Sequence, residues 1–405
     1  METVTIKPSK IKGKYSPPSS KSLTIRYMAL CALAGGGEIR CPLWSLDTKA
    51  MLSGLSALGM QYRVTKKGDL AIDGMEWKEG NVAINAGGSA ATLRFLMAMA
   101  VLRKGKTTLI GNDRLMKRPH QEMIKSINKI GGKAQQTKKA IVVEGPIAKT
   151  GGKNLEINVD LVISSQFASA LILIAPVANI NVYCQSTISR PYLEATMTAC
   201  EAFYDDGRYN PVKVTVPWDP AGAAPVICSA VGAGNKIKVE GADWKQLEAP
   251  YLKGALVSMG CQIKDDTVFP AEKLEPLNMD MQHSPDIFLP LAVLAANAKG
   301  SSYLRGVGRL KYKESDRLIG AEMTIKTLGG KCRFEKDKFL IEGTELKGGN
   351  VKAIQDHRVV MSAIEGNAIS KKGGVVEGLR AISKSYPAFL ADMGRLGLDY
   401  KFGKK

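Results

Sequence analysis

The stretch MLSGLSALGMQYRV, from Met51 to Val64, has a plan that recurs along the chain. Apolar residues at helical spacing lead up to Gly59, and a run of alternating residues typical of a strand follows it. A glycine at this point is typical of the left-handed residue that closes a helix. The same plan recurs in four later segments: MIKSINKIGGKAQQ, YLKGALVSMGCQIK, LIGAEMTIKTLGGK and FLADMGRLGLDYKF.

The spacing of these glycines gives the length of the repeat. Gly59 and Gly131 are 72 residues apart, and Gly260, Gly329 and Gly397 follow one another at intervals of 69 and 68. The interval of 129 residues from Gly131 to Gly260 is about two periods, and YLEATMTACEAFYDD falls midway as a degenerate copy. Six units of about 67 residues would account for all 405 residues.

Strand-like runs lie between the helical segments, as in DLAID, NVAIN, TTLIG, AIVVEG, LEINV and FLIEG. Each unit therefore alternates strands with helices and is much longer than a solenoid repeat. We expect an α/β protein of two domains with three units each. The Pro- and Gly-rich segment VKVTVPWDPAGAAPV is the best linker candidate, and SPPSS is a second.

The composition is that of a globular protein with an unusual charge. Hydrophobic residues make up 45% of the chain and charged residues 23%, but the net charge is +19. Such an excess suits nucleic acid, an acidic membrane surface or small anionic substrates. Lysines are spread along the whole chain, so the sequence has no basic arm or nuclear-localisation block.

The cysteines and apolar runs exclude several classes of protein. The seven cysteines are far apart and never form a C-x-x-C pair, which argues against a disulfide framework and a zinc site. The first residues, METVTIKPSK, alternate like a strand rather than a signal peptide. Apolar stretches such as FASALILIAPVA are shorter than a membrane span. We expect a soluble, cytoplasmic protein with no metal site.

Basic and hydroxyl residues gather where helices are expected to begin. Lys21, Ser22 and Arg26 lie in the first turns of an apolar helix, where cations oppose the helix dipole unless an anion is bound. Comparable positions in both halves of the chain hold Thr92, Arg94, Arg114, Ser164, Ser165, Gln166, Ser189, Lys313, Glu314, Arg317, Asp356, His357, Arg358 and Lys384. Ser164 and Ser165 read as an N-cap arrangement. Together these residues favour a ligand with phosphate and carboxylate groups, or two anionic ligands.

A set of longer motifs carries a resemblance to a known family. The motifs, in order, are SSKSLTIRYMALCALAGG, SSQFASALILIAPVA, ISRPYL, SPDIFLPLAVLAA, YKESDRL, QDHRVVMSA and SKSYPAFL. They cover nearly the whole chain and resemble the 5-enolpyruvylshikimate-3-phosphate synthase family. The resemblance implies two domains, each of three βαβαββ units, in the inside-out α/β barrel of the enolpyruvyl transferases. Helix N-termini in that family are directed into the cleft between the domains.

The resemblance also implies a discontinuous chain. One domain would span residues 20–215 and carry most of the shikimate-3-phosphate site. The other would comprise residues 1–19 and 216–405 and carry the acid and base residues with much of the phosphoenolpyruvate clamp. The N-terminal strand would thus join the C-terminal half.

The implied activity is transfer of the enolpyruvyl group of phosphoenolpyruvate to the 5-hydroxyl of shikimate 3-phosphate, with release of phosphate. The reaction would proceed by addition and elimination through a tetrahedral intermediate, in chorismate and aromatic amino-acid biosynthesis. The resemblance implies no metal or organic cofactor. Its partners would be these two small anionic substrates, not nucleic acid or a membrane, and we expect a monomer.

The resemblance assigns roles to individual residues. Shikimate 3-phosphate would be held by Lys21, Ser22, Arg26, Ser164, Ser165, Gln166, Ser189, Asp286 and Lys313. Phosphoenolpyruvate would be held by Lys21, Ala90, Arg114, Gln166, Arg317, Arg358 and Lys384. Asp286 would hydrogen-bond the 5-hydroxyl and Glu314 would exchange a proton with the methylene carbon, so these two and Lys21 are the predicted catalytic residues.

The chain departs from the family pattern in several places. Arg309 stands where the family commonly has Asn, and Gly88, Ala90 and Ala91 stand in its Asn-x-Gly-Thr loop. The usual E-G-D-x-S-S-A-S segment is reduced to PWDPAGAAP. In the family, the glycine replaced by Ala90 borders the phosphoenolpyruvate pocket, where the herbicide glyphosate also binds. The added methyl predicts insensitivity to glyphosate.

Two other functions would explain parts of the sequence. The related enzyme that transfers enolpyruvyl to UDP-N-acetylglucosamine carries a reactive Cys in the loop before Arg-Pro, and residues 111–119 contain none. The paired serines Ser164 and Ser165 suit a compact sugar-acid phosphate better than a nucleotide sugar. A nucleic-acid-binding protein would explain the charge, but it would need exposed aromatics along a basic stripe, and only 6% of the chain is aromatic.

Overall fold

The computed structural model describes residues 2–147, 154–185, 188–352 and 355–403. The chain divides into two compact units. One is continuous, Ser19–Pro217, and the other is discontinuous and comprises Met1–Pro18 with Trp218–Lys405. Within the described residues, no helix combines the length and the apolar character needed to cross a membrane.

Strands and helices alternate along the whole chain. The strands are β1 (Thr3–Ile6), β2 (Gly13–Tyr15), β3 (Gly37–Arg40), β4 (Met60–Val64), β5 (Leu70–Met75), β6 (Val82–Asn85), β7 (Gly105–Ile110), β8 (Lys133–Gln136), β9 (Ala140–Gly145), β10 (Leu155–Val159), β11 (Ile180–Cys184), β12 (Tyr204–Asp205), β13 (Arg208–Tyr209), β14 (Lys213–Thr215), β15 (Ile237–Val239), β16 (Gln262–Lys264), β17 (Thr267–Phe269), β18 (Asn278–Asp280), β19 (Ser301–Arg305), β20 (Lys331–Glu335), β21 (Lys338–Glu342), β22 (Gly374–Glu377) and β23 (Tyr400–Phe402). The α-helices are α1 (Lys21–Leu33), α2 (Leu46–Leu58), α3 (Ala90–Ala100), α4 (Asp113–Met116), α5 (Gln121–Lys129), α6 (Gln166–Ala178), α7 (Arg190–Phe203), α8 (Pro220–Gly232), α9 (Ala249–Ser258), α10 (Phe288–Ala296), α11 (Arg317–Thr327), α12 (His357–Ala368) and α13 (Phe389–Arg395).

In the continuous unit, two sheets have the same strand order. The sheet β6-β7-β9-β8 begins with a parallel pair, and β9 runs antiparallel to both β7 and β8. The sheet β14-β3-β5-β4 repeats these directions. A parallel crossover through a helix followed by a hairpin gives the βαβαββ unit. The third unit pairs β10 with β11 in parallel and keeps β12 and β13 as a separate hairpin.

In the discontinuous unit, the N-terminal segment completes two sheets. The sheet β18-β19-β21-β20 is built from one stretch of chain. The sheet β16-β17-β15-β2 has β2, from the N-terminal segment, as an edge strand that lies parallel to β15. The sheet β22-β1-β23 takes β1 as its central strand, antiparallel to both neighbours. The predicted α/β fold of six repeating units is confirmed, and none of the sheets in the described residues closes on itself.

The repeat glycines occupy the predicted backbone conformation. The φ angles of Gly59, Gly131, Gly260, Gly329 and Gly397 are +119°, +90°, +91°, +89° and +107°. At Gly59 an added Cβ would also lie 1.7 Å from the carbonyl oxygen of Glu76. Only glycine fits there, because this conformation and this close approach both exclude a side chain. The glycine pattern therefore marks real helix ends.

Helices that are buried on nearly every face form the interior of each unit. Nearly every residue of α8, α10 and α12 is buried, as is most of α6. A helix without a polar face is stable only when surrounded by other elements. Most residues of these helices are apolar, with buried polar exceptions such as Ser169 and Glu365, and several candidate site residues lie at the helix starts.

Two segments have more regular structure than their composition suggests. The linker candidate VKVTVPWDPAGAAPV contains the division between the two units at Pro217, and it forms β14 before that point and begins α8 after it. Asp219 caps α8 by accepting the Gly222 N–H at 2.9 Å, and Pro220 fits the first helical position because it lacks an N–H. The loop around Arg114 contains the one-turn helix α4, capped by Asn112.

Candidate active site

Many of the predicted site residues lie in two clusters, one in each unit, together with residues that were not predicted. The carboxylate–cation cluster in the discontinuous unit contains Asp286, Lys313, Glu314, Arg317, Asp356 and Lys384. The hydroxyl–arginine cluster in the continuous unit contains Ser22, Arg26, Arg94, Ser164, Gln166, Ser169 and Thr196. Most members of both clusters lie at or within a few residues of helix starts.

Arg317, the first residue of α11, is the centre of the carboxylate–cation cluster. Its guanidinium is buried and donates Nη1–H to Asp286 Oδ1 at 2.6 Å, Nη2–H to Glu314 Oε2 at 2.9 Å and Nε–H to Asp356 Oδ2 at 3.1 Å. Three segments that are far apart in sequence are thus joined by one side chain. These bonds use three of the five guanidinium N–H groups, and a bidentate anion requires two.

Two lysines complete this cluster. Lys313 Nζ lies 3.2 Å from Asp286 Oδ1, and Lys384 Nζ lies 3.6 Å from Glu314 Oε1. Arg358 is also buried and donates Nη1–H to the carbonyl oxygen of Ala221. With Arg358, four cations therefore accompany the three carboxylates. An excess of positive charge in a buried site favours an anionic ligand.

The cations decide the protonation of Asp286. Burial by itself would raise the pKa of this carboxyl group, but the charges of Lys313, Arg317 and Arg358 outweigh burial and hold the pKa well below its ordinary value. Burial lowers the pKa of Lys313, and Arg317 and Arg309 lower it further. Asp286 is therefore ionised at neutral pH, so its carboxylate accepts hydrogen bonds or a proton.

Arg26 is the charged centre of the hydroxyl–arginine cluster. Its Nε–H bonds Thr196 at 2.8 Å, Nη1 bonds the carbonyl oxygen and the hydroxyl of Ser22 at 2.9 and 2.6 Å, and Nη2 bonds the Ser169 hydroxyl at 3.3 Å and the Tyr192 carbonyl at 3.2 Å. All five N–H groups are used. Burial lowers the pKa of Arg26 to about 10, so the side chain stays charged at neutral pH.

The partners of Arg26 are neutral hydroxyl and carbonyl oxygens. Among the described residues, Arg26 has no carboxylate partner, although it is only 2% exposed. A buried charge without a counter-charge is costly. An anionic ligand at the start of α1 would supply that counter-charge, although direct contact with Arg26 would require it to exchange one of its present partners.

Arg94 arranges two other predicted residues. Its Nη1 donates to the Ser164 hydroxyl at 3.0 Å and to Gln166 Oε1 at 2.8 Å, and Nη2 donates to the Pro119 carbonyl at 3.0 Å. The guanidinium lies 4.4 Å from the centre of the Phe167 ring, within cation–π distance. Arg94 therefore joins the start of α6 to the segment that follows α4.

The remaining predicted residues have distinct environments. Lys21 Nζ lies 3.0 Å from the buried carboxylate of Asp47. Ser189 precedes α7 and is held at a φ of +55°, a strained conformation for a residue with a side chain. Ala90 is the buried first residue of α3. Arg114 lies on α4 with an exposed side chain.

One part of the N-cap prediction is wrong. Ser165 precedes α6, but its hydroxyl makes no capping bond, because its φ of −67° and ψ of −12° are already helical. The neighbouring Ser164 hydroxyl accepts the Gln166 N–H at 3.3 Å instead. The Ser165 hydroxyl is therefore not committed to capping α6.

Several residues that organise the site were missed as site residues. Asp47, Ser169 and Thr196 lie inside helices, where a polar side chain gives no sign of its tertiary partner. Asp356 was noted only as part of the D-H-R motif, yet it caps α12 and binds Arg317. The one available signal was the i, i+4 spacing of Ser165 and Ser169 on one face of a helix that is otherwise apolar.

A Lys substitution at Arg26 is expected to weaken the continuous unit. Lysine has three donors on one nitrogen, so at least two of the five hydrogen bonds are lost, each contributing about 1.5–3 kcal/mol when the donor is charged. We expect the free energy of unfolding in urea to fall by about 3 kcal/mol. The control is Arg40→Lys, an exposed arginine of β3 paired with Glu38 at 3.0 Å. Equal stability of the two variants would contradict the assignment.

The chain belongs to the EPSP synthase family. The model of EPSP synthase (3-phosphoshikimate 1-carboxyvinyltransferase) matches residues 5–393. The 3-phosphoshikimate 1-carboxyvinyltransferases of Methanosarcina acetivorans and Methanosarcina mazei are 32% and 33% identical to this chain, and each alignment covers 98% of both proteins. The enzyme of that name from Aeropyrum pernix is 31% identical over 98% of this chain and 96% of its own.

Solved structures show the same fold. The EPSP synthase of Acinetobacter baumannii superposes with a TM-score of 0.81 at 22% identity, covering all of both chains. The enolpyruvyl transferase NikO of Streptomyces tendae superposes with a TM-score of 0.78 at 15% identity, covering 100% of this chain and 99% of its own. At these identities the likeness concerns the fold alone.

Proposed function

We propose that the protein transfers the enolpyruvyl group of phosphoenolpyruvate to the 5-hydroxyl of shikimate 3-phosphate and releases phosphate. Family membership over residues 5–393 makes it an enolpyruvyl transferase of the shikimate pathway. The observation that carries the proposal for the site is the Arg317 centre, where one buried guanidinium holds Asp286, Glu314 and Asp356. The UDP-N-acetylglucosamine and nucleic-acid alternatives are not favoured.

Shikimate 3-phosphate is assigned to residues from both clusters. Ser164, Ser165 and Ser189 bind the 3-phosphate, Lys21, Ser22, Arg26 and Gln166 complete the contacts of the continuous unit, and Asp286 and Lys313 supply those of the discontinuous unit. The buried charge of Arg26 and the strained backbone of Ser189 support this assignment, since both features are typical of ligand sites.

The proposed phosphoenolpyruvate site contains five cations: Lys21, Arg114, Arg317, Arg358 and Lys384. Gln166 and Ala90 are assigned to the same site. Arginine matches the planar carboxylate with two parallel hydrogen bonds, and lysine acts as a point charge on phosphate. The two guanidinium N–H groups that Arg317 does not use on carboxylates support this role.

The proposed reaction begins with addition. The ionised Asp286 accepts the proton of the 5-hydroxyl as that oxygen adds to the central carbon of phosphoenolpyruvate, while Glu314, protonated at this stage, gives its proton to the methylene carbon. The resulting tetrahedral intermediate then loses phosphate with its bonding electron pair, and the proton held by Asp286 passes to the departing phosphate. The Glu314 carboxylate takes a proton back from the new methyl group, which restores the double bond, so both carboxyl groups end the cycle as they began.

Phosphate release distinguishes the candidate acceptors. We expect the protein to release phosphate from phosphoenolpyruvate when shikimate 3-phosphate is present, and not when UDP-N-acetylglucosamine replaces it. Release with the nucleotide sugar alone would overturn the proposal. Binding of a DNA duplex that shikimate 3-phosphate does not displace would favour the nucleic-acid alternative.

Ala90 is expected to make the enzyme insensitive to glyphosate. Its methyl group narrows the phosphoenolpyruvate site proposed at the start of α3, and glyphosate is the longer of the two ligands. An overfilled site costs roughly 1–3 kcal/mol, which corresponds to about a ten- to hundredfold change in binding. The ratio of the glyphosate inhibition constant to the phosphoenolpyruvate KM should fall by that factor in Ala90→Gly. An equal ratio in both proteins would show that Ala90 does not shape the pocket.

A further inference from the structure

A buried chain of hydrogen bonds lies next to Lys384. Tyr15 at the end of β2 and Tyr386 are 2% and 1% exposed, and their hydroxyl oxygens are 3.1 Å apart. Tyr386 Oη lies 2.6 Å from Asp392 Oδ2, on α13. Arg395 binds the other oxygen of Asp392. One side chain of β2 and three from residues 386–395 thus form one connected chain.

The direction of these hydrogen bonds follows from the hydrogens available. Tyr386 has one hydroxyl hydrogen, and the Asp392 carboxylate only accepts, so Tyr386 donates to Asp392. Tyr15 must then donate to Tyr386 Oη. Burial raises the pKa of both tyrosines, so both hydroxyls keep their hydrogens at physiological pH.

The hydroxyls are not needed to fill space. The Tyr386 ring packs edge-on against Phe389 with ring centres 5.5 Å apart, and Ile382, Met393 and Leu396 belong to the same core. A phenylalanine would fit the same volume. The polar atoms therefore serve to fix the position of the ring rather than to add apolar contact.

The backbone hydrogen bonding of the chain segment around Tyr386 is weak. Lys384 ends a 3₁₀ helix, Leu379–Lys384, whose hydrogen-bond geometry is poorer than that of an α-helix. The N–H groups of Ser385 and Tyr386 share one acceptor, the carbonyl of Ile382, and Pro387 has no N–H to donate. Side-chain anchoring by Tyr386 therefore adds a constraint on Lys384, two residues away.

We propose that Tyr15 and Tyr386 are positioning residues that hold Lys384 against Glu314. The inference rests on the proposed function, because it assigns Lys384 to phosphoenolpyruvate. Lys384 Nζ is 3.6 Å from Glu314 Oε1, a distance that a small shift of the 3₁₀ helix would change. The residues assigned to shikimate 3-phosphate in this unit, Asp286 and Lys313, lie on other segments. Loss of the anchor should therefore weaken the binding of phosphoenolpyruvate more than that of shikimate 3-phosphate.

The kinetic test uses substitutions that remove only the hydroxyl groups. Tyr386→Phe should raise the KM for phosphoenolpyruvate about tenfold and leave the KM for shikimate 3-phosphate within about twofold, whereas Tyr15→Phe should have a smaller effect because Tyr386 keeps its bond to Asp392. The double variant should match Tyr386→Phe, since both hydroxyls act through one chain. The control is Tyr209→Phe, a buried tyrosine of the other unit that donates to the Leu173 carbonyl at 3.0 Å.

Amide hydrogen exchange tests the anchor in the substrate-free protein. Exchange in residues 379–392 should rise about tenfold in Tyr386→Phe and remain native in Tyr209→Phe. Native exchange in that segment, or a KM for phosphoenolpyruvate that is unchanged while only the melting temperature falls, would overturn the proposal. Faster exchange in a protein whose native form releases no phosphate would support the anchor and refute the proposed function instead.

Discussion

Replacement of Glu314 by glutamine is expected to lower kcat by about 10²–10⁴-fold, the usual contribution of one general acid or base. Glutamine keeps the size of the side chain and an oxygen for Arg317 Nη2 or Lys384, but it has no proton to exchange with carbon. The KM values for phosphoenolpyruvate and for shikimate 3-phosphate should therefore change much less than kcat. Asp286→Asn should reduce kcat in the same range, because the amide is a far weaker proton acceptor.

Isotope exchange separates a proton-transfer role from a purely electrostatic one. Once the methylene carbon has been protonated, the resulting methyl group rotates, and loss of any of its three hydrogens restores the double bond. In D₂O, deuterium should therefore enter the vinyl group of the product with the native enzyme and not with Glu314→Gln. The matched control is Glu322→Gln on α11, the helix that follows Glu314, where the partly exposed Glu322 binds Lys326 at 2.5 Å. Native turnover in both Glu314→Gln and Asp286→Asn would refute the assignment.

Replacement of Glu365 by glutamine should stabilise the protein, and more so as the pH rises. Glu365 lies within α12 and is fully buried, and neither of its carboxylate oxygens has a hydrogen-bond partner in the described residues. Burial raises the pKa of this carboxyl group well above its ordinary value. It also raises the pKa of the Cys228 thiol on α8, and a charge on Glu365 would raise that pKa further.

The sign of the pH effect follows from proton binding. Between the ordinary and the raised pKa, the folded protein holds a proton on Glu365 that the unfolded chain releases, so native stability is lost as the pH rises. Glutamine does not titrate. The stability difference between variant and native protein should therefore be small near pH 4 and widen by about 1.4 kcal/mol per pH unit in that window. Each kcal/mol corresponds to about 2–4 °C in Tm.

Thermal melting at a series of pH values measures this difference. Glu345→Gln is the control, because Glu345 is exposed and paired with Lys371, and its difference from the native protein should stay flat. A stability difference for Glu365→Gln that is constant from pH 5 to pH 8 would contradict the prediction. It would mean that Glu365 titrates in the folded protein as it does in the unfolded chain, as a solvated carboxyl group would.

The fold could be predicted from sequence because its signals are local. Gly59 and its four counterparts mark helix ends by a backbone conformation that other residues rarely adopt, and their spacing reveals the repeat without any knowledge of tertiary contacts. The structure of the segment after Pro211 was harder to predict, because its prolines and glycines are typical both of a linker and of the first turn of a helix. The segment forms a helix there because α8 is buried, and that burial depends on how the rest of the unit packs.

The site was predictable in its residue types and less so in its contacts. Cations and hydroxyls at helix starts indicated anionic ligands, and the motifs named the family. The bonds from Arg317 to Asp286 and Asp356 join residues 31 and 39 positions away, and the bond from Arg26 to Thr196 spans 170 positions. No periodicity in the sequence encodes such pairs, since they depend on how the units of the repeat pack.

The central position of β1 in the sheet β22-β1-β23 has a consequence for synthesis. Thr3–Ile6 is made several hundred residues before Gly374–Glu377 and Tyr400–Phe402, the strands with which it pairs. At the usual rates of about 5–20 residues per second, the first strand waits roughly 20–80 seconds for its neighbours. Throughout that time the nascent chain carries an unpaired strand with both edges open, which is a template for aggregation. A chain that stopped before Tyr400 would leave one edge of β1 unpaired in the folded protein.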